Sequence, residues 1–124
     1  MKVLIDAETI LGFLAGDEKI GKIILKFDET AVSVFDYSFL IAGAENSLNI
    51  SHNLYLIKEF ISENFEMLEY TRKEANVFAR LKRKYKDADG FVLLNASIAL
   101  THKLTLITVG DKYDIIKELK IIKV

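Results

Sequence analysis

The chain has 124 residues, 51% hydrophobic and 28% charged, which is the composition of one globular domain with its own core. The absence of cysteine excludes disulfides and thiolate metal sites, and two histidines are too few for a histidine-rich zinc site. Any metal would therefore be held by oxygens, which suits Mg2+ or Mn2+, and a formal net charge of −1 gives no global field for a polyanion.

Lys2–Ile5 reads as a short buried strand that ends on Asp6. Apolar residues at helical spacing predict helices over Thr9–Ala15 and Lys19–Phe27, separated by Gly16-Asp17. The β-branched run Ala31–Phe35 is a second strand, with Asp36 as N-cap of a helix through Ala44. A further helix runs to Ile61 from Asn49 or Ser51. Phe65–Tyr70 is a third strand, and Thr71-Arg-Lys-Glu74 is a capping box opening a helix to Tyr85. Asp87 or Asp89 caps an apolar helix ending near His102. Leu104–Thr108 is a strand, Lys112–Leu119 a helix and Ile121–Val124 a last strand.

This alternation predicts a single α/β domain over residues 1–124, with a central, mainly parallel sheet of about five strands between layers of helices. In such sheets the ligand crevice lies outside the carboxyl ends of the strands, so Asp6 and Asp111 are expected to face one crevice. The apolar run Gly90–Leu100 is far short of a membrane span, and no basic-then-apolar leader is visible. The expectation is a cytoplasmic protein without membrane association. Arg72, Lys73, Arg80, Lys82, Arg83, Lys84 and Lys86 crowd one stretch. A solvated helix face is the ordinary reading of such a run. The functional one is a phosphate-tracking surface that binds RNA through Arg80, Lys82 and Arg83.

Five segments in order carry a family resemblance. They are Val3-Leu-Ile-Asp6, Phe39–Ser47, Asn64–Tyr70, the run Leu93–Thr108, and Asp111–Leu119. Together they resemble the PIN domain, the fold of the VapC ribonuclease toxins. The resemblance implies a three-layer α/β/α architecture and four acids that hold Mg2+ or Mn2+ against RNA. It also implies an antitoxin-like partner and a homodimer, for which the helices of Asp36–Glu63 offer an interface.

By this resemblance Asp6 matches the first of the family's acids, while the other three positions fall on Phe39, Val92 and Gly110. Each has an aspartate nearby: Asp36, Asp89 and Asp111. A residue three places earlier on a helix keeps the same face one turn away, about 5.4 Å along the axis. Magnesium demands near-octahedral oxygens at about 2.0–2.1 Å, so such displacement matters. Asp36 and Asp89 are therefore expected as helix caps, while Asp111 stays open between ligand and cap. The first expectation is a PIN-fold protein with a degraded metal site that binds RNA, an antitoxin-like protein or itself. The alternative is a working Mg2+- or Mn2+-dependent endoribonuclease with Asp6, Asp111 and Asp89 as catalytic residues and metal ligands, and Asp36 as a fourth ligand. A purely structural subunit is the third.

Overall fold

A computed structural model describes residues 1–124. The strands are β1 (Lys2–Ile5), β2 (Glu29–Ser33), β3 (Glu66–Leu68), β4 (Thr105–Thr108) and β5 (Ile121–Lys123). The helices are α1 (Ala7–Leu14), α2 (Glu18–Ile24), α3 (Val34–Glu45), α4 (Ile50–Asn64), α5 (Arg72–Lys84) and α6 (Gly90–Thr101). The five strands form one sheet in the order β3-β2-β1-β4-β5, every pair parallel.

Strand residues alternate between two cores. Val3, Ile5, Val32 and Ile107 pack with Ile10, Leu40, Ala44, Ile57 and Ile61 of α1, α3 and α4. Leu4, Ala31, Leu68 and Leu106 pack with Leu81, Leu93, Ala96 and Ala99 of α5 and α6, and with Tyr113 and Ile116. The period-2 pleat thus produces the three-layer α/β/α arrangement. Helix α6 is apolar all round because it is enclosed, with seven residues from Val92 to Ala99 buried. No helix is long and apolar enough to cross a membrane.

Three expectations are corrected in detail. The second strand ends at Ser33, and Ser33 rather than Asp36 caps α3, its Oγ accepting the Asp36 N–H at 3.0 Å. The serine hydroxyl reaches the third N–H of the helix, which leaves the Asp36 side chain free to turn inward. Residues 112–119 form no helix. The bonds Asp114 N→Asp111 O, Ile116 N→Tyr113 O and Leu119 N→Ile116 O close successive tight turns. Tyr113 and Ile116 are both buried, and this three-residue spacing suits tight turns between adjacent strands. Of the two aspartates offered as the cap of α6, Asp89 is the one that caps it.

Lys103 lies at φ 55° immediately after the α6 C-cap. The Leu104 N–H reaches back to Ala99 O at 2.8 Å, the left-handed ending that releases the chain into β4.

Candidate functional site

The sheet order changes direction between β1 and β4, and the carboxyl ends of those strands open the crevice expected at such a point. Asp6 stands there, wholly buried. Its Oδ1 accepts the Thr9 N–H at 3.0 Å and the Thr9 hydroxyl at 2.5 Å, capping α1. Its Oδ2 accepts the Thr108 hydroxyl at 2.6 Å across the sheet, and the Lys112 ammonium lies 3.7 Å from the same oxygen. Lys112 also lies 3.6 Å from Glu8 Oε2 and 5.6 Å from the centre of the Tyr113 ring.

Beside Asp6 lies a second polar group. Asn95 donates from Nδ2 to Asp36 Oδ2 at 2.9 Å and to the Tyr113 oxygen at 3.0 Å, and its Oδ1 accepts the Ser33 hydroxyl at 2.5 Å. Every buried side-chain nitrogen and oxygen has a partner. Burial pushes the Asp36 carboxyl up to about 6, and the Asn95 bond opposes it. The nearby Asp6 charge adds to the rise, while the Ala7 N–H and Lys112 oppose it. Burial, with the Asp36 charge, likewise pushes the Tyr113 phenol well above its ordinary range.

The crevice above this floor has a volume of about 530 Å3, and Glu8, Asp36, Phe39, Asp89, Phe91 and Lys112 are on its walls. Phe39 and Phe91 meet edge to face at 5.0 Å and are about half exposed. Val92 is buried while Phe39 is about half exposed, so one of these two apolar residues packs inward and the other forms the crevice rim.

The structure therefore brings together two of the four sequence-predicted aspartates on the crevice floor, Asp6 and Asp36. Asp89 lies on the wall but its Oδ1 accepts the Phe91 N–H at 2.9 Å and the Val92 N–H at 3.2 Å, so it caps α6. Asp111 is exposed on the loop after β4 and is not among the crevice-lining residues. No group of three histidine, aspartate or glutamate side chains is placed to hold a metal ion. With three of the roughly four Asp6 lone-pair sites taken, one cation already beside the fourth and no group of three acids converging, these residues do not fit the oxygen shell that Mg2+ or Mn2+ requires.

Asn95, Tyr113 and Lys112 are missing from the sequence-based set. Asn95 inside an otherwise apolar helix was the available signal, since a buried amide needs partners. Nothing local marked Lys112, which reaches Asp6 from the turn closed by Asp114 N→Asp111 O.

Of the basic residues, Lys82 Nζ donates to Lys86 O at 2.9 Å, and Lys84 pairs with Glu118 at 3.3 Å. Arg80 lines a shallow hollow with Lys84 and Glu118. A second hollow, of about 400 Å3, is apolar and lies between α1, α3 and α4, with Leu11, Leu14, Phe39, Leu40, Leu56 and Ile57 in its walls.

No family model matches the sequence, and no curated protein matches it. Solved structures do. A chain of DNA-bound VapBC from Salmonella typhimurium is 24% identical, with 99% of this chain and 98% of that one covered at a TM-score of 0.84. For VapBC-1 from nontypeable Haemophilus influenzae the values are 21%, 99%, 98% and 0.86. For VapBC2 from Rickettsia felis bound to a promoter DNA fragment they are 19%, 100%, 99% and 0.86. At such identities the likeness is one of fold, and the chain has the PIN fold of the VapC toxins.

Proposed function

We propose that this chain is a VapC-fold binding protein with a non-catalytic crevice, and that its ligand is an antitoxin-like protein. The observation that carries the reading is the state of Asp6: its two oxygens accept three hydrogen bonds from Thr9 and Thr108, and although Asp36 lies beside it, no group of three acids converges to hold an ion. A metal-dependent phosphodiesterase needs such convergence, because the ion must generate the nucleophile and neutralise phosphate together. The protein-binding half is supported by the apolar hollow between α1, α3 and α4. Leu11, Leu14, Phe39 and Leu56 are all 40–55% exposed there, the kind of surface that marks an interaction site. The solved neighbours named above are VapBC assemblies, and an antitoxin-like partner is the counterpart this fold suggests. A homodimer through the α3–α4 face and RNA contact by Arg80, Lys82 and Arg83 remain part of the proposal.

The experiment is co-expression with candidate antitoxin-like proteins of the same genome, followed by size exclusion. A stable complex is expected, lost in Leu11→Glu/Leu56→Glu while far-UV circular dichroism is unchanged. A complex indifferent to both substitutions would remove this surface from the account.

One observation favours the second reading, an active Mg2+- or Mn2+-dependent endoribonuclease. Asp36 is not spent as a cap but is buried beside Asp6, where a displaced ligand would have to be. That reading needs Asp89 to leave its helix terminus and Asp111 to swing in, and a divalent-ion titration separates the two.

A further inference from the structure

We propose that Lys112 is the resident cation of the crevice: its ammonium supplies the charge balance that a divalent ion would give Asp6 and Glu8, and it opposes the binding of such an ion there. The inference rests on the non-catalytic reading above and deepens it.

The geometry of the lysine carries the argument. Its ammonium contacts one oxygen of Asp6 at 3.7 Å and one of Glu8 at 3.6 Å, so a single cation at that point serves both carboxylates. Asp6 is wholly buried, which distinguishes the contact from a surface ion pair between two solvated side chains. The lysine is also held there. Tyr113, the next residue, is fixed by its bond from Asn95, and the Lys112 ammonium lies over that ring. The turn closed by Asp114 N→Asp111 O pins the backbone on both sides. A divalent ion approaching Asp6 meets a like charge at contact distance, where repulsion is strong even with protein and solvent screening.

The other polar features are absorbed elsewhere: the Asn95 amide and the Ser33, Thr9 and Thr108 hydroxyls are satisfied within the fold. Lys112 is the one cation that enters the crevice.

The test compares wild type, Lys112→Arg, Lys112→Met and Lys112→Met/Asp6→Asn by thermal unfolding and calorimetry, with manganese as the probe. Methionine keeps an unbranched stem against Tyr113 and removes the charge. The expected result is a fall in Tm of about 3–6 °C for Lys112→Met without metal. Millimolar manganese restores part of that fall, and the restoration is absent in Lys112→Met/Asp6→Asn. Wild type and Lys112→Arg do not respond to manganese. If Lys112→Met melts with wild type and stays indifferent to manganese, Lys112 is an ordinary surface lysine and the proposal is overturned. If wild type binds manganese and Lys112→Met binds it at least about tenfold more tightly, the non-catalytic reading falls and the role of Lys112 stands. Equal binding by both overturns the two together.

Discussion

Asn95, in the middle of α6, donates to Asp36 of α3 at 2.9 Å, fifty-nine positions away in sequence, and so ties the two helices that flank the crevice. The same amide holds Ser33 and Tyr113. Asn95→Ala would leave three buried polar groups short of a partner at once. The expected loss is about 2–4 kcal/mol, read as a lower urea midpoint at unchanged slope. A loss under about 1 kcal/mol would mean that water replaces the amide without cost.

Asp36 makes stability depend on pH in the direction opposite to most carboxylates. Its folded value of about 6 lies above the unfolded value near 3.9, so the folded state holds the proton more tightly. The contribution is fully present below about pH 4 and is lost as pH rises through about 6. Two units of difference correspond to an order of about 3 kcal/mol. Asp36→Asn lacks this dependence, so its stability relative to wild type should rise between pH 4 and pH 7. Urea unfolding across that range measures it, and a constant difference would contradict the assignment.

Glu74 has the ordinary sign. Burial pushes it up, but the Thr71 hydroxyl, its own backbone N–H and His102 together hold it below the usual range. Its contribution is therefore present above the unfolded value and lost as pH falls through the lower folded one. The Thr71 hydroxyl donates to Glu74 Oε2 at 2.5 Å and accepts the Lys73 N–H at 3.3 Å. Thr71→Ala should cost about 1–2 kcal/mol at pH 7. That cost should shrink once Glu74 is protonated, as parallel melts at pH 7 and pH 3 would reveal; an identical cost at both would separate the two residues.

The basic end of α5 is expected to matter for RNA and little for the partner. Glutamate at Arg80 and Arg83 should leave partner affinity within about twofold and stability within about 0.5 kcal/mol. It should weaken any RNA retention at low salt and flatten its salt dependence, measured by filter binding. Loss of the protein partner in this variant would move the interface to α5.

The layered fold was legible because its signals are local and periodic. Lys2–Ile5, Leu104–Thr108 and the apolar Phe91–Leu100 run can be buried in few other ways. Thr71 caps α5 as its position before the helix specifies, although its hydroxyl accepts the Lys73 N–H and donates to the Glu74 carboxylate, so the reciprocal bonds of a capping box do not form. The site was less legible because its contacts are long-range. Asp36 was expected as a cap by its position before a helix, but a serine three residues earlier does that work, and the difference decides whether a carboxyl faces solvent or the crevice. Lys112 was expected at the start of a helix over Lys112–Leu119, but the spacing of Tyr113, Ile116 and Leu119 is one that tight turns satisfy equally well. Asp89 behaved as its position before Gly90-Phe91 implied.

The most direct test of the central claim is a calorimetric titration of the metal-free protein with manganese, beside Asp6→Asn. The account predicts no saturable binding by wild type at millimolar manganese, and the same flat trace for the variant. Stoichiometric binding by wild type that disappears in Asp6→Asn would contradict it, and would mean that Asp36, Asp89 or Asp111 rebuilds a working metal site around Asp6.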